Sequence, residues 1–311
     1  MDLRQIQYFF ALYEEGSVTR AANRMNVVQP ALSMQLAKLE SEIGQQLFHR
    51  NTRGMAPTPV GHHMYKLFRP VLADFARARD QLMQTDGELS GHVSIGLIAS
   101  VAQDLLAQVL AEYTQTHPRV TLALSDGYTP MLCKAVTEGQ LDAAIINQPR
   151  RQLALNSHPL LSEDFVLVTG PKHPELSDSL KVRDAAGLKL ALPTRLHGLR
   201  DILDSITQAE GITLAPELEV DSINAIVQLV ELGTYAALLP RIAVLSKLAD
   251  GRLRAHTLVD PPLTRQVVCV THPLRPLSPA AAAFVAMLER YAQPKSSLVP
   301  RTLDTRSKES R

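Results

Sequence analysis

The chain has 311 residues, of which 45% are hydrophobic and 20% charged, and its formal net charge is +1. This length allows two or three domains, and the composition indicates a packed core rather than a disordered chain. A nearly neutral chain is not a globally basic protein, so any contact with nucleic acid must come from local charge. No apolar run approaches the roughly 20 residues of a membrane span. The N-terminus does not resemble a signal peptide, and we expect a cytoplasmic protein without membrane contact.

The first 43 residues predict three short helices. The first covers residues 3–15, and Gly16 stops it. Ser17 can cap the second helix, which ends in a tight turn at Asn26. A third helix runs from about Gln29 to Ile43, because its apolar residues recur at spacings of four and three. Two short helices joined by a tight turn, with small alanines where they cross, indicate a helix-turn-helix.

The second helix of such a motif lies in the major groove of DNA, with its N-terminal residues at base edges. Gln29, Ser33 and Gln35 can therefore read bases, because their side chains donate and accept hydrogen bonds. Lys38 can reach a phosphate. The alternative is an ordinary helical hairpin that contacts no DNA.

Basic residues are concentrated just after this motif. Between residues 50 and 79 there are six of them, against the single acidic residue Asp74. Arg50 and Arg53 lie in a short loop before Gly54, where they would form a basic wing. The others fall on the following helix. This excess either contacts phosphates or forms a solvated helix face.

The residues of the motif are more specific than its shape. The segments GSVTRAANRM, QPALSMQLAKLESEIGQQLFHR and TPVG resemble the N-terminal domain of LysR-type transcriptional regulators. The resemblance implies a winged helix-turn-helix DNA-binding domain in residues 1–58. Taking the residue chemistry and the resemblance together, the predicted DNA-binding residues are Thr19, Gln29, Pro30, Ser33, Met34, Gln35, Lys38, Arg50 and Arg53.

Two positions depart from the family's pattern. Val28 stands where the family usually has a serine that caps the recognition helix. A valine cannot accept from the free N–H groups, and a lost cap costs roughly 1 kcal/mol. Met34 stands where a polar or basic residue is usual. It can touch a thymine methyl group or a sugar, but it cannot hydrogen-bond a guanine.

A long helix follows the wing. Thr58 at the cap and Pro59 at the first helical position are a start signal. Apolar residues at alternating spacings of four and three predict about 28 helical residues, on the order of 40 Å, with one apolar seam. Pro70 removes one helix hydrogen bond and should bend the helix. The seam consists of Met64, Phe68, Val71, Phe75, Ala78 and Leu82.

The seam needs a partner surface, which is either a second copy of this helix or the chain's own C-terminal part. The resemblance implies the first, because in LysR-type regulators this linker helix forms a homodimer. It further implies pairing of dimers into a homotetramer through the effector domains.

Residues after a hinge at 86–91 alternate between strands and helices in two similar halves, followed by the late strand RQVVCVTH and a final helix from Pro279. This alternation predicts an α/β fold with a parallel sheet. The segments VTEGQLDAAI, EVDSINAIVQLVELG and ALLP resemble the effector domain of LysR-type regulators, which is related in fold to periplasmic solute-binding proteins. The implied organisation is α + α/β, with a linker helix at 59–88, an effector domain at 89–293 and a disordered tail at 294–311. Subdomain I is expected at about 92–162 and 269–293, and subdomain II at about 163–268.

Ligands of open α/β sheets bind outside the carboxyl ends of the strands. Ser100 and Thr129 precede helices there, so free backbone N–H groups favour an anion. Arg195, His197 and Arg200 would add positive charge, which predicts a small carboxylate or a sulfur or phosphorus oxyanion between the halves. The alternative is that Arg195 and Arg200 are surface or dimer-contact residues. The predicted effector-binding residues are Ser100, Thr129, Asn147, Thr194, Arg195, His197, Arg200 and Ser222.

Catalytic and metal-binding motifs are missing from the sequence, which has no phosphate-binding loop, no nucleophile elbow and no C-x-x-C pair. Cys133 and Cys269 are expected to be reduced, mostly buried thiols, with a redox switch as the alternative. We predict a regulator with no cofactor and no metal, whose partners are double-stranded DNA and a small effector. RNA polymerase is a further candidate partner. The rival functions are a solute-binding protein and an α/β enzyme.

Overall fold

The computed structural model describes residues 1–51, 54–82 and 88–292. Within these ranges the buried residues form three hydrophobic cores, one in the N-terminal head and two in the C-terminal part. No helix among the described residues is long and apolar enough to cross a membrane. The predicted tail at 294–311 and the predicted wing residue Arg53 lie outside the described residues.

The head contains three helices followed by a two-stranded hairpin. Its helices are α1 (Leu3–Glu15), α2 (Val18–Arg24) and α3 (Gln29–Ile43). The strands β1 (Phe48–Asn51) and β2 (Gly54–Pro57) pair antiparallel. This order is the predicted helix-turn-helix followed by a wing.

Local chemistry explains where the helices of the head begin and end. Asp2 and Gln5 form a capping box at the start of α1, and Gly16 ends that helix in the left-handed conformation, where glycine is favoured. The Ser17 side chain accepts from the backbone N–H of Arg20, as predicted for the cap of α2. Asn26 makes the turn with φ of 53°, a conformation that asparagine tolerates better than most residues.

The linker helix α4 spans Pro59–Leu82 and continues through Pro70. Thr58 caps it, because its hydroxyl oxygen accepts from the backbone N–H of Gly61 at 3.1 Å. The predicted seam divides between two surroundings. Met64 is buried in the core of the head, and Phe68 packs against that core. Leu67, which lies outside the predicted seam, is exposed together with four seam residues, Val71, Phe75, Ala78 and Leu82.

A second face of α4 rests on the C-terminal part of the chain. Arg77 Nη1 lies 2.7 Å from Asp142 Oδ1, and Asp74 Oδ2 lies 3.3 Å from Arg275 Nε. Pro70 lies against Gly139, where an added Cβ atom would come within 2.8 Å of the proline Cβ. The C-terminal part of the chain therefore covers one face of α4, whereas an apolar face of the described helix stays exposed. A second copy of the helix remains a candidate partner for that exposed face.

The C-terminal part is a mixed α/β structure. An eight-stranded sheet has the order β4-β3-β5-β12-β6-β11-β7, with β10 also pairing with β6. Strand β3 pairs parallel with β4 and β5, as predicted, whereas β12 pairs antiparallel with β5 and β6. Its strands are β3 (Ser90–Leu97), β4 (Arg119–Asp126), β5 (Ala143–Asn147), β6 (Asn156–Thr169), β7 (Ser179–Lys181), β10 (Ala236–Pro240), β11 (Arg254–Val259) and β12 (Thr264–Thr271). A separate small sheet pairs β8 (Ala191–Leu192) with β9 (Leu218–Glu219).

Helices cover both halves of this sheet. They are α5 (Ala99–Thr116), α6 (Thr129–Thr137), α7 (Val182–Ala185), α8 (Gly198–Ala209), α9 (Ile223–Glu231), α10 (Leu245–Ala249) and α11 (Pro279–Ala292). A 3₁₀ helix at Arg241–Val244 precedes α10.

The sheet joins two cores, which define subdomain I around β3, β4 and β5 and subdomain II around β8, β10 and the end of β6. Strand β6 is 14 residues long. Its first part pairs with β12, and residues from Phe165 to Thr169 pair with β10. The crossing strands β6 and β12 therefore form the structural connection between the subdomains.

Candidate functional site

The outward face of α3 presents most of the predicted DNA-binding residues to solvent. Ser33, Met34 and Lys38 are exposed on this helix, and Gln29 and Pro30 are exposed at its start. Thr19 is exposed on α2 and donates to Gln29 Oε1 at 3.4 Å, which brings the start of α2 beside the start of α3. The exposed face exists because Leu32, Leu36 and Leu39 occupy the opposite face and are buried.

Gln35 occupies a different position from the other predicted base readers. It is half-buried, and Gln5 Nε2 donates to its Oε1 at 3.3 Å. Gln5 is itself buried in α1 as part of the capping box. Because its side-chain oxygen accepts a hydrogen bond from α1, Gln35 helps to hold α3 against α1. It is less available to a DNA base than the exposed residues of α3.

The wing contacts the turn between α1 and α2 through its backbone. Arg50 is exposed on β1. The backbone N–H of Met55 donates to the carbonyl oxygen of Gly16 at 2.9 Å. Gly54 has φ of 131°, and an added Cβ atom would lie 2.4 Å from the same oxygen. This close backbone approach requires glycine and fixes the base of the wing.

Val28 is the N-cap residue of α3, and its side chain makes no capping hydrogen bond. It is 70% exposed. The structure therefore agrees with the prediction that no side chain caps α3. Pro30, in the first turn, has no N–H to satisfy, which limits the cost.

A cavity of about 700 Å³ lies between the two subdomains. The first turns of α5, α6 and α9 face it, so their partly unsatisfied backbone N–H groups surround the space. Asp126 and Asp221 supply carboxylates from opposite sides. No lysine or arginine is among the described lining residues, which are Ala99, Ala102, Gln103, Asp126, Gly127, Tyr128, Met131, His197, Asp221, Ser222, Ile223 and Asn224.

A hydrogen bond crosses this cavity. The Tyr128 hydroxyl of subdomain I donates to Asp221 of subdomain II, and Thr194 donates to the same carboxylate at 3.0 Å. The hydrogen bond from Tyr128 lowers the pKa of Asp221, and the neighbouring carboxylate raises the pKa of Tyr128. Thr194 is not among the residues that line the cavity. Its hydrogen bond instead positions the carboxylate of Asp221.

His197 lines the cavity but does not supply the predicted positive charge. It is 5% exposed, and its Nδ1 accepts from the backbone N–H of Leu199 at the start of α8. Burial lowers its pKa, the charge of Arg265 lowers it further, and Asp221 opposes both effects. A histidine held neutral near pH 7 acts here as a helix cap and a cavity wall.

The two predicted arginines also lie away from the cavity lining. Arg195 is exposed, as in the surface alternative. Arg200 is 1% exposed and bonds Asp204 at 2.8 Å and Glu219 at 2.9 Å, so it is neither a surface residue nor a cavity residue. The prediction that these residues attract an anion is therefore wrong for Arg200 and unsupported for Arg195.

Arg265, which sequence reasoning missed, lies beneath the cavity on the crossing strand β12. Its Nε donates to Glu163 of β6 at 2.8 Å, and the pair is buried. Its Nη1 donates at 2.9 Å to both Ser100 Oγ and Asn147 Oδ1. Two predicted effector-binding side chains, Ser100 and Asn147, thus bind an arginine of the strand that connects the subdomains instead of facing the cavity.

The remaining predicted effector residues divide in the same way. Ser222 lines the cavity and caps α9, with its hydroxyl accepting from Ala225 N–H. Thr129 is half-buried at the first position of α6 and is not among the lining residues.

The two cysteines are free thiols, and burial raises the pKa of Cys269 to about 12, which does not favour a reactive thiolate.

Comparison with known families supports the regulator among the candidate functions. The LysR substrate binding domain matches residues 86–293. The bacterial regulatory helix-turn-helix protein family, lysR type, matches residues 3–62. The chain belongs to the LysR family. It is a DNA-binding transcriptional regulator whose effector domain responds to a small molecule.

Individual LysR-family proteins resemble the chain over most of its length. The transcriptional regulator GltR of Bacillus subtilis is 28% identical over 295 residues, covering 95% of this chain and 98% of GltR. The nitrogen assimilation regulatory protein nac of Escherichia coli is 32% identical over 251 residues, covering 79% of this chain and 80% of nac.

Solved structures agree in fold. A full-length OxyR variant from Pseudomonas aeruginosa superposes with a TM-score of 0.71 at 26% identity, covering 95% of this chain and 96% of that one. Full-length CbnR in complex with its target DNA gives a TM-score of 0.64 at 20% identity, covering 94% and 100%. The predicted fold class is confirmed by these LysR-family neighbours.

Proposed function

We propose that this regulator binds a pseudo-palindromic DNA site as a homodimer, with one α3 in the major groove of each half-site. The observation that carries the proposal is the outward face of α3, where Gln29, Ser33 and Lys38 are all exposed. Arg50 is exposed as well, on the wing strand β1. Gln29 and Ser33 can hydrogen-bond base edges, and Lys38 and Arg50 can contact phosphates.

The exposed apolar face of α4 supports the dimer. Leu67, Val71, Phe75 and Leu82 follow each other at spacings of four and seven residues, and each residue is at least 46% exposed. Such a stripe on a long helix is covered efficiently by an identical helix. We propose that two copies pair here and hold two heads at a fixed separation, with further pairing into tetramers through the effector domains.

We propose that the effector binds in the cavity between the subdomains. The first turns of α5, α6 and α9 favour an anionic group there. Asp126 and Asp221 favour hydrogen-bond donors, so the effector combines both kinds of group. Its binding would change the angle between the subdomains around β6 and β12, and thereby the spacing of the heads.

A gel-shift series with duplexes selected from a random-sequence pool tests the DNA-binding surface. Lys38→Ala should weaken binding to all sequences and flatten the dependence of log K on log salt by up to about 0.9 per lost phosphate contact. Ser33→Ala should keep the salt slope and relax preference at one base pair. Lys189→Ala, an exposed lysine of subdomain II, is the matched control and should behave as wild type. Equal losses for Ser33→Ala on selected and random DNA would contradict the assignment of base readers.

Light scattering tests the dimer. Phe75→Glu places a charge in the exposed stripe and should shift the mass towards the monomer, whereas Leu274→Glu, at an 85% exposed position of the effector domain, should not. An unchanged mass for Phe75→Glu would remove α4 as the dimer contact.

A further inference from the structure

The outward face of the recognition helix has an apolar centre. Pro30, Met34 and Ala37 are all exposed and follow each other at spacings of four and three residues, so they lie along one stripe of α3. Met34 is 63% exposed. The stripe lies between Ser33 and Lys38, the residues proposed to contact a base and a phosphate, so it would be covered when α3 enters the groove.

Gln35, which follows Met34 in the sequence, cannot take over this position. Gln35 is half-buried, with its side-chain oxygen accepting from Gln5. The stripe itself carries no side chain that donates a hydrogen bond, and its one polar atom, the Met34 sulfur, is only a weak acceptor. Any base read at the centre of this face must therefore be recognised by shape and apolar contact.

The C5-methyl group of thymine is the apolar feature that bases present in the major groove of DNA. We infer that Met34 recognises a thymine methyl group, so that each half-site carries a thymine preference created by burying the methionine side chain against that methyl. The inference rests on the proposed binding of α3 in the major groove. The flexible thioether suits this contact, because it adapts its shape to the methyl group without a fixed hydrogen-bond geometry.

Replacing thymine with deoxyuridine removes only the methyl group and leaves base pairing intact, so it tests the inference directly. A duplex selected by the full chain from a random-sequence pool is resynthesised with deoxyuridine at each thymine in turn. At one thymine per half-site the replacement should lower affinity about fourfold, the effect of one buried methyl-sized group. Other thymines should show ratios near one.

Variants separate base recognition from general loss of binding. In Met34→Ala the affinity ratio between thymine and deoxyuridine at that position should fall to about one. Leu274→Ala, at an exposed position of the effector domain, should keep the wild-type ratio. Met34→Gln retains a good helix former at an exposed site, so folding is preserved, and it should also lose the methyl dependence.

The possible results distinguish a failure of the thymine-methyl contact from a failure of DNA binding by α3. DNA binding with equal affinity for thymine and deoxyuridine at every position overturns the inference and leaves the DNA-binding proposal standing. The same holds if Met34→Ala keeps the methyl dependence, since another side chain would then read the methyl. If no duplex is selected or retarded at low salt, the proposed binding surface fails and the inference fails with it.

Discussion

Arg77 of the linker helix and Asp142 of subdomain I are joined by an ion pair of 2.7 Å between Nη1 and Oδ1. The other oxygen of Asp142 accepts from the backbone N–H of Ser94 at 2.8 Å. Only 15% of the arginine side chain and 10% of the aspartate side chain are exposed. The pair therefore attaches α4 to the effector domain beside β3 and the start of β5, close to the contact between Pro70 and Gly139.

Removing Arg77 should destabilise the effector domain. Arg77→Ala leaves a mostly buried carboxylate without its charged partner, which costs about 1–3 kcal/mol of unfolding free energy. Adding Asp142→Asn should recover part of that loss, so that the double-mutant cycle shows a coupling free energy. Urea unfolding measures both effects. The control is Arg119→Ala, whose pair with Glu88 is exposed and should contribute under about 1 kcal/mol. Strictly additive losses at Arg77 and Asp142 would contradict the contact.

The same pair alters one sequence-based prediction. Six basic residues after the helix-turn-helix were predicted to contact phosphates or to be solvated, but Arg77 does neither, because Asp74 and Asp142 hold it against the effector domain. The motif VTEGQLDAAI matched a family pattern without revealing its contacts. In the structure its Gly139 and Asp142 receive the linker helix.

Restoring a cap at Val28 should stabilise the head. Val28 is 70% exposed and makes no capping bond, so Val28→Ser loses little burial and gains an acceptor for the first-turn N–H groups. The expected gain is about 1 kcal/mol, or roughly 4–8 °C in melting temperature for a small domain. Scanning calorimetry of the full chain measures it. The control Val28→Ala lacks an acceptor and should show no gain, and an unchanged melting temperature for Val28→Ser would contradict the missing cap.

Local patterns in the sequence predicted the head correctly, and long-range pairing limited the prediction of the cavity. The spacing of Leu32, Leu36 and Leu39 is sufficient to define α3. Arg200 instead depends on Glu219, 19 residues further on, and Arg265 on Glu163, 102 residues away. An arginine looks the same in sequence whether it faces a ligand or a buried carboxylate, because the fold supplies the partner.

Arg265 should be essential for stability. Arg265→Ala leaves Glu163 as a buried charge at the crossing of β6 and β12 and removes the partner of Ser100 and Asn147. Breaking a buried pair costs about 3–5 kcal/mol. Urea unfolding followed by circular dichroism measures the loss. Arg254→Ala, an exposed arginine of β11, is the control and should cost under about 0.5 kcal/mol. A comparably small loss for Arg265→Ala would show that the connection between the subdomains does not depend on this ion pair.

His197 should make the effector domain less stable in mild acid. Burial lowers its pKa below the ordinary value of 6.5, so the unfolded chain binds a proton first as the pH falls. The unfolded state then holds more protons, and the unfolding free energy contributed by His197 is complete above about pH 6.5 and decreases below it.

Substitution of His197 isolates this contribution from that of the other histidines. His197→Asn keeps an acceptor for the backbone N–H of Leu199 but does not titrate. Its unfolding free energy should therefore fall less between about pH 7 and pH 5.5 than that of the wild type. Leu196→Ala, at a 79% exposed neighbouring position, retains the histidine and should keep the wild-type slope. Urea unfolding at several pH values provides the comparison. Parallel pH profiles for His197→Asn and wild type would show that the cavity wall accepts the protonated imidazole without cost.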